Sequence, residues 1–377
     1  MEAITILLYL NVLIYILFII GLIYGFPKVK TFKKSEVHPK TTFSIIIPFR
    51  NEEHYLPQLL QSFSHLDYPK NLFEFIFIDD DSEDQSAKVI TKWRMEHGLF
   101  HTTVLENVRI SNSPKKDAIS RAIPIIKNQW IITTDADCTV DSNWLLTLDS
   151  YIQNHDVSMI AGPVTYNGKR SFLHRFQQMD LMSLQGVTIG SFGLQKSFIC
   201  NGANFAYTKK LFQELDGFKG NSAIASGDDV FLLQKAAAQF PDKVHYLKSD
   251  SAIVRTEPLN NWKSLFHQRV RWASKTTSYQ SEYGEILAMA VFFGNLSLLV
   301  TLVFCLFHLL PWEHLAILFI VKFTIDMVLL IQTNRFLNKG KFLFPVISSL
   351  LYPFFSTSVA LYTMFGKYEW KGRKFKL

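Results

Sequence analysis

Charge is missing from the first stretch of this sequence. Ala3 to Phe26 is almost purely apolar and holds no charged residue, and its length matches the ~20 residues that span a bilayer's hydrocarbon. A cleaved secretory leader is the competing reading. It is disfavoured because no Lys or Arg precedes the run and no small-x-small cleavage site follows it; the apolar core also exceeds the roughly 7–15 residues of a leader. A retained membrane helix is therefore expected. Cysteine is scarce too. Cys138, Cys200 and Cys305 show neither pairing nor zinc spacing, which excludes a disulfide framework and leaves reduced thiols. No basic stripe interleaved with aromatics is present, so nucleic acid is not an expected partner. There is no internal repeat and no low-complexity linker.

What is present is organised by hydropathy. The 377 residues are 48% hydrophobic, room for about two domains of ~150 residues, and the apolar excess is concentrated. Three more candidate spans lie near the C-terminus, at 286–310, 313–333 and 342–365. The second contains Lys322 and Asp326 one turn apart. Charges in lipid are costly and usually paired, so the pair either faces other helices or marks a partly interfacial segment. Pro345 and Pro353 predict a kink or re-entrant path in the third. Lys28, Lys30, Lys33 and Lys34 follow the first span and place the middle region in the cytoplasm. The basic Asn334–Lys341 loop agrees with four crossings. The tail, with Lys367, Lys371, Arg373, Lys374 and Lys376, does not, so one C-terminal segment is expected not to cross fully. The net charge of +7 suits a domain on anionic lipid, or one that holds phosphorylated ligands.

The polar middle region alternates strand and helix. Phe43–Pro48 reads as a buried parallel strand, followed by a helix from Asn51 through Ser64. Phe73–Ile78 is a second strand, then a helix over about 85–97, a strand from His101 to Leu105, a helix from Lys115 to Ile126 and a strand from Trp130 to Thr134. This pattern predicts an α/β domain with a mainly parallel sheet and helices on both faces. Ligands of such sheets bind beyond the C-terminal strand ends. Three polar clusters fall at such ends: Pro48 to Glu53, Asp79-Asp80-Asp81-Ser82, and Asp135-Ala136-Asp137.

These clusters carry chemistry. Asp135 and Asp137 can bind a hard divalent cation, Mg2+ or Mn2+, completed by phosphate oxygens; a loop start or helix cap is the bland alternative. The Asp79–Asp81 turn can accept the N3–H of a uracil ring, or be a solvated turn. Its crowded charge needs compensation, and Lys115 is the candidate, for this cluster or for a diphosphate. Gly227-Asp228-Asp229 precedes an amphipathic helix from Val230 to Gln239. One of its carboxylates can serve as the general base of an inverting transfer, or merely cap the helix. Gln268-Arg269-Val270-Arg271-Trp272 lies in a segment of mixed apolar and basic residues, the mark of a helix in the membrane interface. Its guanidinium groups can grip phosphate and its indole can stack under a sugar.

Together these residues give the chain a close resemblance to the membrane-bound family-2 glycosyltransferases, inverting nucleotide-sugar enzymes with the GT-A fold. That group contains hyaluronan, chitin and cellulose synthases and ceramide and carotenoid glycosyltransferases. Ser44 to Glu52 resembles the family's opening strand and donor loop, which implies donor contacts for Pro48, Arg50 and Glu52. Asp79-Asp80-Asp81-Ser82 resembles its Asp-Asp-Gly-Ser element, and Lys115 with Ala118 its Gly-Lys-x-x-Ala-Leu element. The resemblance implies donor roles for Asp79, Asp80, Lys115 and Asp135 and a metal role for Asp135 and Asp137. Asn201-Gly202-Ala203-Asn204 resembles the acceptor-side segment. Aligned triplets make Asp229 the base and Asp228 its neighbour. Gln268, Arg269, Arg271 and Trp272 match Gln-x-x-Arg-Trp, and the resemblance gives them the acceptor or product diphosphate. Asp81 stands where the family has Gly, and Ser113-Pro114 where it has the Gly before the lysine. No Phe-x-Val-Thr gating loop follows Trp272, which disfavours cellulose synthesis.

The expected layout is a membrane helix (1–26), a cytoplasmic GT-A domain (27–261), an interfacial segment (262–284), a C-terminal membrane region (285–366) and a basic tail (367–377) of a multi-pass protein of the inner cell membrane. The expected activity is metal-dependent hexosyl transfer from a nucleotide sugar, UDP-linked first, to a membrane lipid or short glycan. A processive polysaccharide synthase is the alternative. An inactive scaffold and a nucleotidyltransferase are weaker, since neither needs the Gln268–Trp272 run.

Overall fold

The computed structural model describes every residue except 99–100, 169–170, 222–223, 225, 341–344, 371–372 and 377. Lys341 and Lys371, expected in a basic loop and a basic tail, lie outside the described residues.

Helix α1 (Glu2–Gly25) takes up the charge-free run. Strand β1 (Phe43–Phe49) is the β-branched run, buried along almost its whole length. Helix α2 (Leu56–Ser64) starts later than predicted, with Pro57 in its first turn, a position where the missing N–H costs nothing. The residues before it form a turn in which Asn51 has a φ of 52°. Then come β2 (Phe73–Asp79), α3 (Ser86–Glu96), β3 (Thr102–Glu106), α4 (Pro114–Ala122) and β4 (Trp130–Thr133), in the expected alternation. Helix α4 stops short of Ile126 because Pro124 has no N–H for another turn. The sequence reading left the next stretch largely unassigned. It folds as β5 (Cys138–Thr139), α5 (Trp144–Asn154), β6 (Met159–Ala161), β7 (Val164–Tyr166), α6 (Phe172–Gly193), β8 (Phe205–Thr208) and α7 (Lys209–Glu214). Helix α8 (Asp228–Gln239), β9 (Val244–Tyr246) and β10 (Val254–Thr256) follow, then α9 (Trp262–Ala273), α10 (Glu282–Leu306), α11 (Trp312–Leu337), α12 (Pro345–Phe365), β11 (Lys367–Trp370) and β12 (Arg373–Lys376).

The chain divides into two compact units. One, formed by residues 30–167 and 197–257, holds a seven-stranded sheet of order β3-β2-β1-β4-β8-β6-β9. Strands β3, β2, β1 and β4 run parallel. Strand β8 is antiparallel to both β4 and β6, while β9 runs parallel to β6, so β8 alone is reversed. The expected mainly parallel α/β sheet is what the chain forms. A small sheet, β5-β10-β7, completes the unit. Its core joins the inward side chains of β1, β2 and β4 to α2 and α5. Asp149 of α5 is fully buried. It accepts the backbone N–H of Lys40 at 3.1 Å and of Thr41 at 3.2 Å, and the Gln153 amide at 2.9 Å. It thereby ties the entry to β1 to the far side of the core.

The other unit gathers residues 1–29, 168–196 and 258–377. Helix α6, which the sequence reading had placed within a single 27–261 domain, groups here instead. Among the described residues four helices, Glu2–Lys28, Glu282–Leu306, Trp312–Leu337 and Pro345–Met364, are long and apolar enough to cross a membrane, and the last carries Pro353 inside a continuous helix. Helix α1 packs on α6, α10 and α11. Lys322 and Asp326 face other helices. Lys322 Nζ lies 2.6 Å from Asp326, and the Tyr15 hydroxyl of α1 donates to Asp326 at 2.5 Å. The three cysteines are buried and form no disulfide among the described residues.

Asp149→Ala strands several buried donors at once. It is expected to destabilise the sheet unit by about 3 kcal/mol, and Asp149→Asn by less. Thermal unfolding of the detergent-solubilised chain, followed by circular dichroism, measures both.

Candidate functional site

The parallel pairing of β1, β2 and β4 brings their exits to one edge of the sheet, with Phe49 beside Asp79 and the amide of Thr134 donating to Ile46 at 3.3 Å. Two clusters form there.

The first is the acidic turn after β2. Asp79 accepts the amide of Ser82 at 2.8 Å. Asp80 is buried and takes the Asn107 amide at 2.8 Å and the Arg109 guanidinium at 2.9 Å. Asp81 has a φ of 66°, the left-handed region that Gly enters freely and Asp tolerates better than most residues. The turn therefore keeps the shape expected of a Gly there. Arg50 reaches across from β1. It donates to the Asp80 carbonyl at 2.8 Å and pairs with Asp81 at 3.1 Å and Glu83 at 2.9 Å. Glu52 is buried, and its amide donates to Ser86 at 2.8 Å. Pro48 sits within β1. The compensation expected from Lys115 thus comes from Arg50 and Arg109. Sequence reasoning missed Arg109 because nothing in the spacing after β3 marks it.

Lys115 belongs to the second cluster. Its ammonium lies 2.6 Å from Asp135 and 3.5 Å from Asp228. Burial alone would lower its pKa, but Asp135, Asp228 and Asp229 outweigh that and raise it above the ordinary lysine value. Lys115 is therefore a fixed positive charge throughout the physiological range. Gly227 turns the chain with a φ of 85°, and Asp228 and Asp229 form the first turn of α8, where helix N-termini favour negative charge. Asp229 accepts the amides of Gly202 and Val230, each at 2.8 Å. Gly202 is fixed from the other side too, since its carbonyl takes the Thr133 hydroxyl at 2.9 Å. Asn201 accepts the Ala203 amide at 3.0 Å. Asn204 anchors the segment by donating to Pro163 at 2.9 Å and Ala252 at 2.7 Å.

Asp137 accepts the Cys138 thiol at 3.6 Å. Among the described residues no group of three or more His, Cys, Asp or Glu could hold a metal by itself. Two carboxylates beside a strand end are nevertheless a donor set of hard oxygens, which fits Mg2+ or Mn2+ when phosphate oxygens complete the shell. Two neighbours were not foreseen. Lys116 is buried and donates to the carbonyls of Asn221 at 2.7 Å and Ile224 at 2.9 Å. Tyr207 of β8 is buried, and its hydroxyl has no hydrogen-bond partner among the described residues; burial first, and then the Asp228 charge, push its pKa up.

The Gln268–Trp272 run lies on α9 in the helical unit. Arg269 is buried and pairs with Asp180 of α6 at 2.5 Å. It also donates to the Gln268 side chain, and its guanidinium carbon sits 4.2 Å from the centre of the Trp272 ring. Arg271 is half-buried on the same helix.

A family model described as glycosyl transferase family 21 matches residues 13–377. A beta-monoglucosyldiacylglycerol synthase of Trichormus variabilis is 24% identical over 256 residues, 65% of this chain and 51% of that protein. A poly-beta-1,6-N-acetyl-D-glucosamine synthase of Staphylococcus epidermidis is 25% identical over 280 residues, 72% of this chain and 65% of that protein. A poly(ribitol-phosphate) beta-N-acetylglucosaminyltransferase of Staphylococcus aureus is 29% identical over 120 residues, 31% of this chain and 20% of that protein. The chain thus spans from a fifth to just under two-thirds of these relatives' lengths. Among solved structures, a mannosyltransferase of Pyrobaculum calidifontis in complex with GDP-mannose and Mn2+ has a TM-score of 0.62 at 17% identity, over 97% of this chain and 99% of that one. The fold is that of the GT-A glycosyltransferases, as the sequence resemblance implied.

One charge-assisted contact contributes about 1.5–3 kcal/mol, and 1.4 kcal/mol is tenfold in an equilibrium. Lys115→Met is therefore expected to lower glycosyl-transfer turnover at least about tenfold, measured as glycosylated product formed by the purified chain.

Proposed function

The chain belongs to glycosyl transferase family 21, and from that premise we propose that it transfers a hexosyl group, with inversion, from a nucleotide sugar to a lipid or short-glycan acceptor. A UDP-sugar is the first candidate donor, and the reaction is placed at the cytoplasmic face of the inner membrane. The observation that carries this reading is the Lys115 ammonium seated between Asp135 and Asp228, next to an Asp229 carboxylate oriented by two backbone amides.

The roles follow from those contacts. Asp229 takes the proton of the acceptor hydroxyl as that oxygen attacks the anomeric carbon from the side opposite the phosphate. Two backbone N–H donors orient it, and Asp228 beside it is held by Lys115. One carboxylate suffices, because the nucleoside diphosphate is already a good leaving group, unlike the alkoxide that a glycosidase must protonate. Asp135 and Asp137 would hold Mg2+ or Mn2+, which supplies positive charge to the departing diphosphate. Asp79 and Asp80, in the turn braced by Arg50 and Arg109, read the uracil ring, with Pro48 and Glu52 on the neighbouring loop. Asn201 and Gly202 carry the acceptor side. Gln268, Arg271 and Trp272 serve the acceptor and the product diphosphate. A lipid acceptor suits a chain with four candidate membrane helices, and the glycolipid synthase among its relatives points the same way.

The test is turnover of the detergent-purified chain with Mn2+ or Mg2+ and a panel of nucleotide sugars, with membrane lipid extract added or withheld. Lipid-dependent release with a single-sugar lipid product supports the proposal. A product too large to migrate moves the reading to polysaccharide synthesis. Within that assay, Asp229→Asn should lower turnover by about 10²–10⁴-fold with donor affinity retained. Near-full turnover in that variant would remove Asp229 as the base. Asp137→Asn should weaken metal-dependent donor binding as well.

A further inference from the structure

The Gln268–Trp272 run contains two arginines, and the structure gives them different surroundings. Arg269 turns inward. Its guanidinium is 6% exposed and meets an equally buried Asp180 at 2.5 Å. The same guanidinium holds the Gln268 side chain and lies under the Trp272 indole, 4.2 Å from its centre. Two of the motif's side chains therefore rest on one cation, and that cation rests on Asp180.

Helix α6 holds the approach to α9 as well. Gln177 is fully buried one turn before Asp180. It donates to the Leu259 carbonyl at 2.8 Å and accepts the Leu259 amide at 2.9 Å, just ahead of the Asn261 side chain that caps α9 at 2.8 Å. At its other end α6 is seated by close packing. A Cβ on Gly190 would lie 2.6 Å from the Leu22 carbonyl, and one on Gly193 would lie 1.9 Å from that of Gly25. A helix wedged at one end and bonded both to α9, through Asp180, and to the segment before it, through Gln177, is a rigid support. Breaking a buried pair by removing one charge leaves the other uncompensated, so neutralising Asp180 weakens the hold on Arg269.

We infer that Asp180 is a positioning residue for sugar transfer, fixing Gln268 and Trp272 through Arg269 and leaving Arg271 as the arginine that meets phosphate. This rests on the glycosyl-transfer reading and extends it to a residue outside every motif in the sequence.

The test compares Asp180→Asn, Asp180→Glu and Arg271→Lys with the wild type, as full-length chains in detergent. The donor and lipid extract are those that give wild-type turnover in the screen above. Asp180→Asn is expected to lower kcat at least tenfold while the donor KM stays within twofold, and Asp180→Glu to restore at least half of the lost rate. Arg271→Lys is expected to raise inhibition by product-type diphosphate, probed with UDP, to at least threefold higher concentrations. Asp180→Asn turning over within twofold of the wild type, or a loss that Asp180→Glu does not restore, overturns the inference. A wild type silent toward every donor is instead a failure of the transfer reading. Hydrogen exchange over residues 262–273 then decides the support of α9 by Asp180 on its own: unchanged protection in Asp180→Asn overturns it, and protection lost there but kept in α10 and α11 upholds it.

Discussion

Carboxylates gathered at one edge of a sheet repel one another. The ammonium of Lys115, between Asp135 and Asp228, resolves that conflict at the centre of the site. Arg50 and Arg109 do the same for the acidic turn after β2. Each cation comes from a different element: the end of β1, the loop after β3, and the first turn of α4. Arg50 and Arg109 tie the loops after β1 and β3 to the turn after β2, and Lys115 ties α4 to the loop after β4 and to the start of α8. The buried carboxylates Asp80 and Asp228 thereby gain the partners that buried charge requires.

Much of this was legible in the sequence. The strands β1, β2 and β4 announce themselves as short apolar runs that end on Pro48, Asp79 and Asp135, and parallel pairing alone then gathers their exits. Glycine at 227 and acids at 228 and 229 are visible as the start of a helix. What the sequence did not show are partners fixed only by tertiary packing. Arg109 and Lys116 look like ordinary surface cations until β3 and α4 are packed. Strand β8 is too short and mixed for its period to read, yet it carries the reversed strand and Tyr207. Helix α6 misled most. Its charge is sparse and its Gly186, Gly190 and Gly193 weaken its helix propensity, although the same glycines let other backbones approach closely.

The two arginines of the Gln268–Trp272 run carry the same lesson at smaller scale. They are two residues apart, so an α-helix points them about 200° from each other. Composition treats them as equals, and helical geometry does not. One is drawn to Asp180 and the other is half-buried on the same helix. A pattern written in letters cannot distinguish a ligand-facing arginine from one that organises its neighbours.

The helical unit is assembled from three separated stretches of chain, which has a bearing on how the protein is made. Tyr15 donates to Asp326, 311 residues later, and Lys322 lies over the same ring. A ribosome adding about 5–20 residues per second takes about 15–60 s to cover that distance. For all of that interval α1 is complete while its polar partner does not yet exist. The Tyr15 hydroxyl therefore needs another acceptor until Asp326 has been made, and the contact between α1 and α11 is formed only after α6, α9 and α10 exist.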